Sequence, residues 1–312
     1  MSVARHARVP ALAKINLDLR VLGKRPDGFH ELRTIFQTIS LGDTLDVSFT
    51  PARRTTIALD DPLDIPDNLV SRAARLALDS MRVNGRVELR LAKRIPMGAG
   101  LGGGSSDAAA VLLALPALGG RAIPLPGLTG LAAQLGSDVP FFLLGGTAAG
   151  IGTGTELFPL PEMPTIHGVL LSPGIHVNTA QAYRDLSPRL TTDLQRNKIH
   201  SFQSVTWDAG SVSGLRNDFE EVVFEQHPAL AGLKKRLLRA GATAALMTGS
   251  GSAVFGLFAD REAARRAAKS LGEFGSTQIS MVSRARYRSL WHRALAEHVK
   301  PSTWPPQSRY SR

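Results

Sequence analysis

The sequence predicts an α+β protein of two domains, and three observations carry that prediction. Strand-like and helix-like patterns interleave along the chain without the even rhythm of a barrel. At 312 residues the chain exceeds one comfortable hydrophobic core, and its 43% hydrophobic against 20% charged residues can fill two. A proline cluster at Pro159, Pro161 and Pro164 interrupts the patterning near the middle. We therefore expect a first domain over 1–160 and a second over 161–295. A Pro-, Ser- and Arg-rich tail over 296–312 reads as solvated and disordered at its extremity.

Alternating apolar residues at Leu17, Leu19 and Val21, then across 35–39 and 45–49, predict early strands, with Arg25-Pro26-Asp27-Gly28 as a turn. Helical spacing predicts a helix over 68–81, with Asp67 or Asn68 as its cap. A strand over 87–95, a helix over 105–118 and a short helix near 128–135 follow. Gly136-Ser137-Asp138 then leads into a glycine-rich strand region that runs to about Thr155. Beyond the prolines we expect a strand at 169–171, helices at 229–239 and 262–271, and strands at 243–247, 253–258 and 278–282. Within the bounds expected for the second domain, an arginine-dense stretch over 283–293 reads as a basic lead-in to that tail.

Composition narrows the function classes. The uncharged stretch over 163–183 is broken by two prolines and two histidines, and that over 139–155 is short with five glycines, so no membrane span is expected. The N-terminus carries early arginines with no apolar run behind them, unlike a secretory signal. The absence of cysteine excludes a disulfide scaffold, a thiol nucleophile and thiolate metal sites, and fits a cytoplasmic setting. A net charge of +11 suits nucleic acid, a membrane surface or anionic small molecules. Against nucleic acid stand scattered arginines and only 6% aromatics, with little interleaving of aromatic and basic residues outside the far end.

The most informative stretch is PMGAGLGGGSSDAA over 96–109, between a strand pattern and a helix pattern, with five glycines in the seven residues 98–104. Such a loop offers backbone N–H groups at a helix start, where free donors and partial positive charge favour phosphate. Gly98, Gly100 and Gly103 satisfy G-x-G-x-x-G, but the acidic residue expected about twenty positions later for a dinucleotide site is missing. Gly104-Ser105 stands where a P-loop needs Lys-Ser or Lys-Thr. Ser105 or Ser106 could cap the helix or offer a hydroxyl to Mg²⁺, and Gly103 is expected to need backbone freedom that a β-branched residue lacks.

The loop resembles the second signature of the GHMP kinases, and its GLGGGSSDAA form is similar to the branch acting on 4-diphosphocytidyl-2-C-methyl-D-erythritol. Three further segments agree in order: ALAKINLDL at 11–19 with RPDGFHEL at 25–32, LGSDVPFFL at 135–143, and TGSGSAVF at 248–255. The resemblance covers roughly residues 9–290. It implies a GHMP-kinase fold, with a first domain like ribosomal protein S5 domain 2 and a ferredoxin-like second domain. It further implies transfer of the γ-phosphate of ATP, with Mg²⁺, to the 2-hydroxyl of that substrate in the non-mevalonate isoprenoid precursor pathway. Another GHMP kinase with a different acceptor is the nearest alternative, and a basic nucleic-acid-binding protein the more distant one.

By this resemblance Asp138 and Lys14 form the catalytic pair. A carboxylate can accept the proton of an attacking hydroxyl, and an ammonium can orient it and offset developing charge. On its own, an Asp before Val-Pro also reads as a turn or cap residue. Asn16, two residues past Lys14 on a strand, shares its face and reads either as a pocket residue or as an amide bonded to backbone. The match assigns ATP to Pro96, Gly98, Gly100, Leu101, Gly102, Gly103, Gly104, Ser105 and Ser106, with Asn68 and Lys93 toward its base. Asn68 reads equally as a helix cap, and the side chains of Met97 and Leu101 read as packing. The loop at 248–253 would brace the phosphate loop. For the cytidine diphosphate end the match points to Phe29, His30 and Tyr183, since aromatics clamp a flat base while a histidine can read its edge. The family usually carries Tyr in place of Phe29 and Phe in place of Tyr183. No membrane or nucleic-acid partner is expected, and the oligomeric state stays open.

Overall fold

The structure is a computed structural model that describes residues 3–61, 65–162, 164–190 and 214–299. Two long strands, β1 (Arg5–Lys24) and β2 (His30–Pro51), pair antiparallel along nearly their whole length around the turn at 25–28. The two strands expected within 35–49 are one strand. Gly42 allows this, because a Cβ there would lie 2.6 Å from Leu12 Cδ2 and 2.9 Å from the Ala11 carbonyl oxygen, so only glycine lets the partner strand approach.

The free edge of β2 is shared. Its C-terminal half pairs with β4 (Gly85–Ala92), which in turn pairs in parallel with β3 (Thr56–Asp60). Its N-terminal half pairs with β5 (Thr147–Gly152), and β5 pairs with the short β6 (Glu156–Pro159). In β4 the alternation is strict: Val87, Leu89 and Leu91 face the core while Arg86, Glu88 and Arg90 face solvent. The helices α1 (Leu69–Met81), α2 (Gly103–Gly119), α3 (Leu125–Leu135) and α4 (Val139–Leu144) cover the inner face. α1 buries Val70, Ala73, Ala74, Ala77, Leu78 and Met81 at amphipathic spacing. α2 is buried on all sides from Ser106 to Leu118, as expected for a helix at the centre of a core.

The second sheet is antiparallel, in the order β10 (Ser276–Ser280), β7 (His167–Leu171), β9 (Val254–Phe258), β8 (Ala244–Met247). Between β7 and β8 lie α5 (Thr179–Leu186), α6 (Phe219–Gln226) and α7 (Pro228–Arg239), and between β9 and β10 lies α8 (Arg261–Ser270). Numbered within this half, the strand order is 4-1-3-2 with helices after the first and third strands, which is the ferredoxin-like arrangement that was expected. α5 and α6 escaped the sequence patterns because eight residues give barely two turns of periodicity.

A third apolar cluster joins the halves. Ile15, Leu17 and Ile39 of the first sheet meet Leu170, Leu246, Phe255 and Leu257 of the second, with Ala99 and Leu101 of the glycine-rich loop packed among them. The arginine-dense stretch at 283–293 is not a tail. It forms α9 (Arg284–Ala294), whose Tyr287 and Trp291, four apart, bury into the first core, while its arginines face outward or partner Glu162. Residues 296–299 continue against that core, where Val299 packs and His298 Nε2 meets the His6 carbonyl oxygen at 2.8 Å. The rest of the expected tail, 300–312, lies outside the described residues.

Candidate active site

A cleft of about 530 Å³ opens between the two sheets. One wall is the glycine-rich loop. Gly98, Gly100 and Gly102 have φ of 63°, 77° and 69°, the left-handed region that favours glycine. Gly102 stands at the start of α2 with no side chain capping it, so the first-turn amides are left to a ligand or solvent. Close approach adds a second demand at Gly100, where a Cβ would lie 2.1 Å from the Thr248 carbonyl oxygen. The two glycine loops are therefore in backbone contact. Thr248 Oγ1 donates to the Gly100 carbonyl at 3.2 Å and Ala253 N donates to the Ala99 carbonyl at 3.2 Å, which is the bracing role expected for 248–253.

Other loop residues depart from expectation. Gly103 and Gly104 are already helical, so no left-handed backbone is needed there. What limits Gly103 is crowding, with Ile95 Cγ2 3.0 Å and Lys93 Nζ 3.2 Å from a would-be Cβ. Leu101 is buried between the sheets and contributes its carbonyl to Lys14 N at 3.0 Å, while Met97 is 61% exposed rather than packed. Pro96 is half-buried and does not line the cleft. Ser106 is buried and donates its hydroxyl to the Leu12 carbonyl at 2.7 Å, which ties α2 to β1 and leaves Ser105 as the half-exposed hydroxyl of the helix start.

Across the cleft, Lys14 Nζ lies 3.5 Å from Asp138 Oδ2. The lysine side chain is 4% exposed and the aspartate 34%, so a buried cation faces a carboxylate open to the cleft. Asp138 sits at the start of α4 but makes no capping hydrogen bond, which leaves its oxygens for other work. Tyr287 of α9 fixes that helix by donating its hydroxyl to the Phe142 carbonyl at 2.6 Å. Register shifts in the β1–β2 ladder flank Lys14 and Asn16, and such irregularities re-aim side chains. Asn16 Oδ1 accepts from Lys14 Nζ at 2.7 Å and from Gly249 N at 2.9 Å, while its Nδ2 donates to Thr34 Oγ1 at 2.7 Å. It thus links β1 to the second glycine loop and lines the cleft.

Lys93 and Asn68 lie beyond that lining. Lys93 Nζ is bound by Asp43 and, at 2.8 Å, by Asp107 Oδ2. Burial opposes the ammonium, but Asp107 and Asp43 raise its pKa above the ordinary lysine value. Two carboxylates share one cation, so burial and Asp43 push the Asp107 carboxyl up to about 7 against the pull of Lys93. Asp43 also accepts from the backbone N–H groups of Arg94 and Ile95, at the root of the glycine-rich loop. Asn68 caps α1, accepting from Val70 N at 2.9 Å and donating to Asp61 Oδ2 at 2.8 Å.

At the far end, Tyr183 of α5 lines the cleft, stacked on His30 with centroids 4.6 Å apart and edge-on to Phe219 at 4.8 Å. Burial, and then the Asp138 carboxylate, raises the pKa of its hydroxyl, which stays protonated. Phe29 projects from the hairpin tip, 63% exposed, and does not line the cleft. Residues with no motif to announce them complete the wall: His176, Asn178 and Thr179 at the start of α5, with Thr179 Oγ1 2.7 Å from Ser250 Oγ. Their one sequence signal is the helix cap, where Asn178 accepts from Gln181 N.

Comparison with known proteins agrees with this geometry. The family described as GHMP kinases N terminal domain matches residues 68–146, and GHMP kinases C terminal matches 207–277. The chain is 69% identical to a 4-diphosphocytidyl-2-C-methyl-D-erythritol kinase of Solibacter usitatus over the full length of both. It is 44% identical to one of Pelotomaculum thermopropionicum, over 83% of this chain and 91% of that one. A crystal structure of a 4-(cytidine 5'-diphospho)-2C-methyl-D-erythritol kinase superposes with a TM-score of 0.74 at 39% identity, covering 88% of this chain and 98% of that one. A homoserine kinase from Cytophaga hutchinsonii, at 20% identity and a TM-score of 0.67 over 89% and 95% of the chains, shares the fold.

Proposed function

The chain belongs to the GHMP kinases, and from that premise we propose that it phosphorylates the 2-hydroxyl of 4-diphosphocytidyl-2-C-methyl-D-erythritol at the expense of ATP, a step of the non-mevalonate isoprenoid precursor pathway. The observation that carries this is the buried Lys14 beside the open Asp138, facing the glycine cradle across one cleft. The cradle suits a polyphosphate, because three left-handed glycines and an uncapped helix start bring main-chain N–H groups to the cleft with no side chain in the way. Bound there, ATP would supply the phosphoryl group and an accompanying Mg²⁺ would offset phosphate charge, with the half-exposed Ser105 to hold it, since the Ser106 hydroxyl is taken by the Leu12 carbonyl.

The chain's own part is placement and proton handling. Asp138 accepts the proton of the attacking hydroxyl. Lys14 orients Asp138 and compensates negative charge as the bond forms, and Asn16 holds the ammonium in line. The 98–102 and 248–251 loops form a rigid backbone wall, so the phosphate end needs little reorganisation. Phe29, His30 and Tyr183 take the cytidine end, Tyr183 as an aromatic wall and Phe29 as an exposed ring at the hairpin tip able to close over a base. The cysteine-free chain and its nucleotide substrates fit a cytoplasmic setting.

An ADP-release assay across acceptors tests the reading. The cytidine-bearing polyol should turn over at least a hundredfold better in kcat/KM than mevalonate or homoserine, a gap of about 2.7 kcal/mol. Phosphorus coupling in the product should mark the 2-position. Comparable turnover of mevalonate or homoserine would assign the enzyme to a different acceptor.

A further inference from the structure

Against Tyr183 of the cleft wall, and outside the lining itself, lies a hydrogen-bond chain through His30 and Ser187 whose direction follows from counting protons. Ser187, first residue of a short 3-10 turn (Ser187–Arg189) after α5, donates its hydroxyl to the Tyr183 carbonyl oxygen at 2.7 Å. A serine hydroxyl has one proton and a carbonyl oxygen only accepts. The 2.8 Å contact between Ser187 Oγ and His30 Nε2 must therefore take its proton from the histidine. Burial, and then Lys24, lowers the His30 pKa, which keeps the ring neutral near pH 7. A neutral imidazole protonated on Nε2 carries a bare lone pair on Nδ1, and among the described residues none hydrogen-bonds to that atom. His30 stands on β2 in phase with Leu32, Thr34 and Phe36, all on the cleft wall, and lies against Tyr183 of the same wall.

We propose that Ser187 is a positioning residue that locks His30 as its Nε2–H tautomer, so that Nδ1 presents a hydrogen-bond acceptor and selects an amine-bearing base, cytosine, over a carbonyl-bearing one, uracil. This rests on the assignment of the cytidine-bearing acceptor to this end of the cleft. The two pyrimidines differ in shape hardly at all, but the 4-amine donates where the 4-carbonyl accepts. An acceptor facing an acceptor leaves both unpaired, and a site built for one polarity rejects the other strongly for that reason. Without the serine, the ring is free to exchange tautomers, and the Nδ1–H form would favour the wrong base.

The full-length protein labelled with ¹⁵N-histidine decides the tautomer, since ring nitrogen shifts distinguish a protonated from a bare nitrogen; loss of the signal in His30→Gln assigns it. At about pH 8 the wild type and Ser187→Thr should show Nε2–H, and Ser187→Ala an averaged pattern. Kinetics with the cytidine-bearing acceptor and its uridine analogue supply the second readout. The wild type and Ser187→Thr should prefer cytidine by about tenfold or more, and Ser187→Ala should lose most of that preference through the acceptor KM, with the ATP KM unchanged. A wild-type Nδ1–H form, or a Ser187→Ala variant that keeps either the tautomer or the preference, would overturn the proposal. If the wild type phosphorylates neither acceptor, it is the assignment of the substrate that fails, and the proposed selection falls with it, while the nitrogen shifts still decide the tautomer.

Discussion

The two ends of the cleft are built from different materials. The end proposed for phosphate is main chain: left-handed glycines, a bare helix start and a second glycine loop in backbone contact with the first. The end proposed for the acceptor is side chain: a histidine on a tyrosine, an edge-on phenylalanine and the Ser187 hydroxyl 2.8 Å from that histidine. Phosphate is the same in every nucleotide, so a rigid backbone cradle serves it. A base must be told from other bases, which takes side chains with a defined donor and acceptor pattern. Substitutions should accordingly act by geometry at one end and by chemistry at the other.

The largest effect is expected between the two ends, at the pair proposed to carry the reaction. Asp138→Asn keeps the shape and removes the proton acceptor, so turnover should fall about a thousandfold, about 4 kcal/mol in barrier, with ATP affinity preserved in calorimetric titration. Retention of a tenth of the turnover would remove Asp138 from its role as base.

Next comes the backbone end. Gly100→Ala forces a methyl to within 2.1 Å of the Thr248 carbonyl oxygen, so the two loops must part, and the ATP analogue should bind about a hundredfold more weakly. Gly98→Ala meets nothing nearer than His176 Nδ1 at 3.5 Å and is strained only by its φ, so about tenfold is expected. Equal losses would mean that backbone freedom, not loop contact, makes the cradle.

The side-chain end should respond to ring loss and ignore loss of the hydroxyl. Tyr183→Ala removes the wall on which His30 lies and should raise the acceptor KM about tenfold, whereas Tyr183→Phe keeps the ring and should raise it less than about threefold. An effect confined to the ATP KM would place the acceptor elsewhere.

The smallest effect concerns stability beneath the phosphate end. The Asp107 carboxyl is pushed up to about 7, so the folded protein retains a proton that the unfolded chain releases near pH 4. That contribution is fully present below about pH 4 and is lost as pH rises through about 7. Asp107→Asn mimics the protonated form, so it should melt about 2–4 °C above the wild type at pH 8 and close that gap near pH 4. A gap of opposite sign at pH 8 would show that ionised Asp107 is needed to hold Lys93.

The contrast between the ends also separates what could be read early from what could not. The glycine-rich loop stood out because each of its demands, a positive φ or a missing side chain, is met by one residue type and written in consecutive positions. Asp43 did not stand out. It anchors the root of that loop from fifty residues away, and one aspartate in a strand carries no local mark of such a contact. α9 was hidden by its own arginines, although Tyr287 and Trp291 at helical spacing were the available signal. At the other end His30 and Tyr183 were reached through resemblance, and Ser187 not at all, since the role proposed for it lies in a bond to a residue 157 positions away.

The amino-acid sequence by itself determined the fold class, the cradle at 98–102, and the pairing of Lys14 with Asn16 on one strand face, because backbone conformation and side-chain alternation are set by near neighbours. Tertiary structure decided the rest. It carried Asp138 to within 3.5 Å of Lys14, closed the 248–251 loop onto Gly100, returned α9 to the first core and laid His30 on Tyr183. Each of these joins segments far apart in the chain, and only burial of the apolar clusters within and between the two halves brings them together.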